Sequence, residues 1–231
     1  MAGKRLKVLI VDDSELCREL TRAVLEERGY EVVTLDGPFG FSRVLNQEKP
    51  DVALVDIRMP ALEGDKLVEI VSRHELHRCP IVLFSDRSED ELARLARLCG
   101  AAGFVHKSGD GEMLVHAIER SLRGPGAGAG AGSRPMTRGA TNADVRDRFL
   151  PRFLDIARQR QRRAGVLLAR RRGGPAAAEL HALAGEAAML DLGEIADAAR
   201  AAKAAARRGD LEGCLRDLHS LAQQVEELDV P

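Results

Sequence analysis

Short apolar runs alternate with amphipathic stretches along the first half of the chain. The runs at 6–11, 31–35, 52–56, 80–85 and 103–106 are each short enough to be a buried strand. Between them, apolar residues recur at intervals of three and four, which predicts helices after residue 14, near 41–45, over 64–73 and 89–99, and through 113–122. This alternation predicts an α/β fold with a five-stranded parallel, doubly wound sheet.

The second half of the chain shows helical spacing alone. Its pattern predicts a helix from about residue 143 that Pro151 kinks or delays, and a further helix through 166–168 that Gly173 and Gly174 end. Pro175 suits the first position of the next helix, and two more amphipathic helices follow it. Short loops between amphipathic helices predict an all-α antiparallel bundle.

A glycine- and alanine-rich stretch separates the two halves. Residues 124–132 read GPGAGAGAG, which buries nothing, and we predict a flexible linker over 124–140. Charge also changes across it, with 18 basic and 22 acidic residues in 1–123 and 17 and 14 in 124–231. The predicted domains are therefore 1–123 and 141–231.

Composition narrows the classes of function. Aromatic residues make up 3% of the chain, Trp is absent and the net charge is −1, so a dedicated nucleic-acid binder is not expected. No signal peptide and no apolar stretch of about 18 residues is visible, which argues against a membrane span. The four cysteines are scattered, as in a reducing compartment. We expect a cytoplasmic protein.

Polar residues stand where the predicted strands end. Asp12 and Asp13 follow the first strand, Asp56 ends the third, Ser85 ends the fourth and Lys107 follows the fifth. Such ends meet at one crevice of a doubly wound sheet, although Asp56 alone would more often be an ordinary loop carboxylate. Three carboxylates there predict a bound Mg²⁺. A lysine and a hydroxyl beside them suit a phosphoryl group, and Asp56 could be its nucleophilic acceptor.

Over residues 5–123 this arrangement resembles the receiver domain of bacterial two-component response regulators, whose fold is flavodoxin-like. The resemblance implies that Asp56 is the phosphorylated residue and that Asp13, Asp56 and the backbone carbonyl of Arg58 bind Mg²⁺. It implies that Asp12 acts mainly through water. By the same resemblance Ser85 is the switch hydroxyl and Lys107 the family lysine.

Three further positions matter to this resemblance. Phe104 matches the aromatic residue that changes rotamer with phosphorylation. Asp86 replaces the small residue usual after the switch hydroxyl, and its carboxylate would slow phosphorylation or crowd the pocket. Ser108 replaces the usual proline after the lysine, which removes the reason to expect a cis peptide there.

His181 is the candidate of the second half. It projects about 100° from Leu180, off the predicted buried stripe. Its neighbours at the next helical turns are Ala184, Gly185 and Ala188. This predicts an exposed imidazole in a bare patch, a good nucleophile near neutral pH, with an ordinary surface histidine as the alternative.

The string from His181 to Gly185, with the helical pattern over 142–229, resembles the histidine-containing phosphotransfer domain. The resemblance implies that His181 is phosphorylated. Where that family usually has a lysine three residues later this chain has Ala184, so we expect slower transfer or a cation borrowed from elsewhere. Glu186 replaces a small residue, and we expect it to point about 140° away from His181.

Seven arginines between residues 158 and 172 form a basic cluster. A solvated face is one interpretation, a docking surface for an acidic receiver domain is a second, and DNA binding is a third. The members are Arg158, Arg160, Arg162, Arg163, Arg170, Arg171 and Arg172.

Both halves together predict a phosphorelay protein without an ATP site of its own. Asp56 would take a phosphoryl group from a kinase phosphohistidine, and His181 would exchange one with a receiver aspartate. The expected partners are sensor histidine kinases and other receiver domains. The alternatives are a receiver-controlled interaction module whose bundle docks partners without phosphotransfer, and a DNA-binding regulator.

Overall fold

The structure is a computed structural model that describes residues 5–59, 66–69, 79–107, 111–123 and 142–229. The chain divides into two compact units, Met1–Asn142 and Ala143–Pro231. The predicted linker over 124–140, Ser108 and most of the predicted helix over 64–73 lie outside the described residues.

The first unit holds a parallel five-stranded sheet, which confirms the predicted α/β class. Its strands lie in the order β2-β1-β3-β4-β5. Every residue of β3 and β4 is buried. This is expected for central strands of a parallel sheet, which are covered on both faces and therefore have apolar residues on both. The strands are β1 Lys7–Val11, β2 Glu31–Leu35, β3 Val52–Asp56, β4 Ile81–Ser85 and β5 Gly103–His106.

Helices fill the connections between these strands. Ser14 caps the first helix, since its Oγ accepts a hydrogen bond from the Cys17 backbone N at 3.2 Å. The last helix of this unit buries Leu114 and Ile118, while Met113 is 45% exposed. Residues 66–69 are also helical. The bounded helices are α1 Glu15–Glu27, α2 Phe41–Glu48, α3 Glu89–Cys99 and α4 Gly111–Leu122.

The strand order places a crevice beside β1 and β3. The chain moves outward from β1 to β2 and then returns to the other side of β1, so the order reverses there. Val11 and Val55 are register partners in the β1–β3 pair. Residues just after Val11 and Val55 therefore face one crevice at the carboxyl ends of the strands, where such sheets bind ligands.

The second unit is helical, as expected. α6 packs on α7, and α7 packs on α8. Within the described parts of the chain, no helix is both long enough and apolar enough to cross a membrane. The helices are α5 Asn142–Ala169, α6 Gly173–Met189, α7 Gly193–Arg208 and α8 Leu211–Glu227.

Two predicted helix boundaries in this unit are wrong. α5 runs as one helix from residue 142 through Pro151 to residue 169, so it does not start late and the further helix expected at 166–168 is part of it. The kink at Pro151 stays a prediction. Gly173 and Gly174 begin α6 instead of ending α5, and the turn lies at 170–172. There the Arg172 backbone N bonds the Leu167 carbonyl at 2.8 Å, which closes the helix end.

Candidate functional site

A buried ion cluster lies at the carboxyl ends of β1, β3 and β5. The Lys107 Nζ lies 2.6 Å from Asp12 Oδ2 and 3.1 Å from Asp56 Oδ2. The three side chains are at most 5% exposed. The Lys107 backbone N also donates a hydrogen bond to the Ser85 carbonyl at 2.8 Å. This bond fixes the backbone position from which the Lys107 side chain extends. The structure thus brings together residues that lie up to 95 positions apart in the sequence.

Asp13 completes an acidic group with Asp12 and Asp56. Asp12, Asp13 and Asp56 each place one carboxylate oxygen within 4.8 Å of the others, and Asp13 is the exposed member. Clustered carboxylate oxygens with access to water suit Mg²⁺, which keeps part of its water shell when a protein binds it. The carboxylates present therefore fit a magnesium site. The Arg58 carbonyl stays a predicted ligand.

Asp56 and Ser85 each have one buried polar atom that makes no hydrogen bond to the described residues. Among the described residues, Asp56 Oδ1 and Ser85 Oγ are buried and have no hydrogen-bond partner. Buried polar atoms normally have partners, so two orphans at one sheet edge call for a bound group. A phosphoryl group would satisfy both atoms, because its phosphorus can bond to the carboxylate oxygen and its own oxygens can accept a hydrogen bond from the hydroxyl.

Burial sets the protonation of this cluster. Burial raises the pKa of Asp56 to about 7, the Lys107 ammonium opposes that rise, and the Asp12 carboxylate adds to it. Burial acts to lower the pKa of Lys107, but Asp12 and Asp56 together raise it well above its ordinary value. A single ammonium therefore does not fully compensate the carboxylates, and a bound cation would complete the balance.

The structure shows a tighter role for Asp12 than the sequence suggested. Its Oδ2 contacts Lys107, its Oδ1 accepts from the Ser14 backbone N at 2.8 Å, and its carbonyl accepts from Arg18 NH1 at 2.7 Å. Asp12 thus orients the lysine and the start of α1 together. The spacing of Arg18, one turn into a helix that begins beside Asp12, was the available signal for this contact, and the sequence reasoning missed it.

The structure also describes Asp86 and Phe104, the two other positions that matter to the receiver resemblance. Asp86 is buried directly after β4, next to Ser85 in the chain. Phe104 is half-buried and packs against the sheet core. The effects expected of Asp86 and Phe104 on phosphorylation stay predictions.

His181 on α6 differs from its prediction. The imidazole is half-buried, and Ala184, Gly185 and Ala188 beside it are buried, so there is no bare exposed patch. The predicted exposure of His181 assumed that only one face of its helix is buried. In the structure, residues 183–190 are buried on every side of that helix. The Lys203 Nζ, from α7, lies 3.4 Å from His181 Nδ1. No sequence motif relates these two residues.

Glu186 is buried and neutralised by an arginine. Its carboxylate is 0% exposed and accepts from Arg160 Nε at 3.0 Å and from Arg160 NH2 at 2.7 Å. Arg160 NH1 also bonds Glu179 at 3.0 Å. Burial acts to lower the pKa of Arg160, but Glu186 and Glu179 raise it. Interpreting the whole arginine cluster as a solvated face is therefore wrong for Arg160.

Comparison with known proteins gives a match for the first unit. The family model described as "Response regulator receiver domain" matches residues 8–119. The "Transcriptional regulatory protein CseB" of Streptomyces avermitilis is 31% identical over 133 residues, 58% of this chain and 56% of that protein. Its counterpart of the same name in Streptomyces coelicolor is 30% identical over 158 residues, 68% of this chain and 66% of that protein. The chain thus spans a little over half to about two thirds of these curated relatives.

Shorter relatives cover the first half alone. "Protein PilH" of Pseudomonas aeruginosa is 29% identical over 119 residues, which are 51% of this chain and 98% of that protein. Among solved structures, the Vibrio cholerae chemotaxis protein CheY4 is similar at 27% identity with a TM-score of 0.47, covering 51% of this chain and 99% of that one.

Proposed function

We propose, from the premise that residues 8–119 are a response regulator receiver domain, that the chain is a two-component phosphorelay protein. Asp56 accepts a phosphoryl group from the phosphohistidine of a sensor kinase. His181 exchanges a phosphoryl group with an aspartate of a receiver domain. Sensor histidine kinases and other receiver domains are the partners, and nucleic acid is not one.

One observation carries the Asp56 half of this proposal. Asp56 Oδ2 lies 3.1 Å from the Lys107 Nζ, while Oδ1 is buried and has no hydrogen-bond partner among the described residues. Oδ1 is therefore the oxygen available to attack phosphorus. The new O–P bond forms as the N–P bond of the donor phosphohistidine breaks, and the electron pair of that bond stays on the donor imidazole.

The surrounding groups stabilise the transferred phosphoryl. The Lys107 ammonium offsets negative charge, and the Ser85 hydroxyl donates a hydrogen bond to a phosphoryl oxygen. Asp12, Asp13 and Asp56 would hold Mg²⁺, which supplies further positive charge when bound. These roles use both orphaned atoms of the pocket.

The His181 half rests on position and charge. A half-buried imidazole offers a nucleophilic nitrogen near neutral pH. Glu186, the buried carboxylate farther along the same helix, is bound by Arg160 and so does not oppose an incoming anion. The resemblance to phosphotransfer domains adds the expected role.

The test is acid and alkali stability of the phosphoryl label. The full-length parent, Asp56→Asn, His181→Ala and the exposed-histidine control His219→Ala are incubated with a phosphorylated sensor kinase and with a phosphorylated receiver. Phosphoaspartate should be lost in alkali and be missing from Asp56→Asn. With the phosphorylated receiver as donor, phosphohistidine should be lost in acid, be missing from His181→Ala and be present in Asp56→Asn and His219→Ala.

The outcomes separate the competing functions. Label on Asp56 with none on His181 from either donor would support the receiver-controlled interaction module instead. No label on Asp56 from any donor would refute the relay. A salt-dependent complex with duplex DNA would favour the DNA-binding regulator.

A further inference from the structure

Lys203 occupies an unusual position beside His181. Its ammonium lies 3.4 Å from the imidazole Nδ1, although the residue is only 9% exposed. It is the sole lysine after residue 107, and all other basic side chains in that stretch besides histidine are arginines. A buried lysine loses much side-chain freedom and hydration, so its placement needs a compensating interaction.

The contact fixes the resting tautomer of His181. An ammonium has no lone pair and can only donate, so Nδ1 must be the acceptor when the ring is neutral. The ring proton is then on Nε2. Since Lys203 contacts Nδ1, we take Nε2 as the nitrogen that receives the phosphoryl group.

We propose that Lys203 is the cation that binds the phosphoryl group on His181, by moving its hydrogen bond from Nδ1 to a phosphoryl oxygen. The inference rests on the proposed function of His181. In the step, the ammonium leaves Nδ1, the Nε2 proton is lost to water and Nδ1 takes up a proton from water, so that the neutral ring now has its lone pair on Nε2. Nε2 then bonds to phosphorus as the P–O bond of the aspartyl phosphate breaks, and the electron pair stays on the carboxylate.

The charges explain why the ammonium should move. Nδ1 carries a proton after the step and no longer accepts a hydrogen bond. The phosphoryl oxygens carry about two negative charges and are much stronger acceptors, and the four-carbon lysine stem lets the ammonium follow them.

Neither the helix neighbours of His181 nor Arg160 is a better-placed cation. Ala184, Gly185 and Ala188 on the same helix carry no charge. The Arg160 guanidinium binds the Glu186 carboxylate with two nitrogens and the Glu179 carboxylate with the third. Lys203 is therefore the basic group whose contact already reaches the imidazole.

The experiment isolates His181 in the full-length chain. An Asp56→Ala background is treated with phosphoramidate, which transfers its phosphoryl group and releases ammonia, and ³¹P NMR follows the phosphohistidine signal. Lys203→Met removes the charge at similar volume, Lys203→Arg keeps it, and Arg207→Met removes an exposed charge one turn along α7 as the matched control. Far-UV circular dichroism checks that each variant folds.

We expect Lys203→Met to form phosphohistidine about tenfold to a hundredfold more slowly, because one charge-assisted hydrogen bond is lost. Lys203→Arg should recover part of the rate, and Arg207→Met should match the background. If the background forms no phosphohistidine at His181, the proposed function of His181 fails. If the background is labelled and Lys203→Met is labelled at the same rate, the Lys203 inference alone is wrong.

A second measurement needs no variant at Lys203. In ¹⁵N-labelled protein the Lys203 ammonium signal should shift on phosphorylation, as its partner changes from a ring nitrogen to a phosphoryl oxygen. An unchanged ammonium signal in phosphorylated protein would overturn the inference even if Lys203→Met proved unstable.

Discussion

Replacing Asp56 with asparagine should stabilise the first unit when Mg²⁺ is removed. Asp56 is 2% exposed and shares one ammonium with the Asp12 carboxylate. Asparagine keeps the shape and removes the charge, while Lys107 retains Asp12 as its partner. The substitution therefore relieves an uncompensated buried carboxylate without leaving a buried ammonium unpaired.

The size of the gain follows from the pKa of Asp56. Burial raises that pKa from 3.8 to about 7. Between these values the folded state binds more protons than the unfolded state, so stability falls as pH rises. At 1.36 kcal/mol for each unit of pKa difference, the ionised Asp56 carboxyl lowers the free energy of unfolding by about 4 kcal/mol at about pH 8. At about pH 5 the folded carboxyl is protonated, and the cost falls below about 2 kcal/mol.

The sequence supplies a specific probe for the assay. Tyr30 is the only tyrosine and the chain has no tryptophan, so tyrosine emission reports on the first unit alone. Urea unfolding followed by this emission should show Asp56→Asn more stable than the parent, with the larger gap at the higher pH. Mg²⁺ on the order of 10 mM should narrow the gap, because it stabilises the parent by binding its folded state.

The control for this assay is Asp36→Asn, which removes an exposed carboxylate from the same unit. Its stability should stay within about 0.5 kcal/mol of the parent. An Asp56→Asn protein that is no more stable than the parent, or whose gain is the same at both pH values, would refute the charge argument.

Three other outcomes follow from buried groups. Lys107→Met leaves Asp12 and Asp56 uncompensated and should destabilise the first unit by about 3–5 kcal/mol, measured by the same emission. Burial raises the pKa of Tyr30 to about 12, so absorbance at about 295 nm should titrate there, and stability should fall above about pH 10 because the unfolded phenol ionises first. Arg160→Met leaves the buried Glu186 carboxylate without its arginine and should lower the free energy of unfolding by about 3–5 kcal/mol, measured by circular dichroism. The Arg163 side chain is 58% exposed, so Arg163→Met should lower it by less than about 1 kcal/mol.

The receiver fold and its cluster were predictable because their signals are local. Each central strand is a continuous apolar run, and each predicted site residue lies at or just after the end of one. Asp56 ends β3 and Ser85 ends β4, as the runs indicated. Parallel connection then fixes which ends meet, so a one-dimensional pattern was enough to bring these side chains to one crevice.

The second unit was harder to predict because its contacts join separate helices. Arg160 and Glu186 lie 26 residues apart, and His181 and Lys203 lie 22 apart. No periodicity relates such pairs, since a helical pattern identifies the buried face and not what packs on it. The wrong prediction that His181 is exposed has the same cause. The leucines of α6 indicate one buried face, but other helices cover more of its surface than that face.

The two candidate acceptors differ in how their charge is balanced. Around Asp56, three carboxylates lie together and one ammonium contacts two of them, so we expect that a dianion added there needs a metal cation. Beside His181, an ammonium already contacts a ring that can be neutral, and the buried Glu186 is bound by Arg160. Chelating Mg²⁺ should therefore abolish the alkali-labile label while the acid-labile label from phosphoramidate persists. Equal loss of both labels would contradict this difference in charge balance, because it would mean that His181 also depends on the metal.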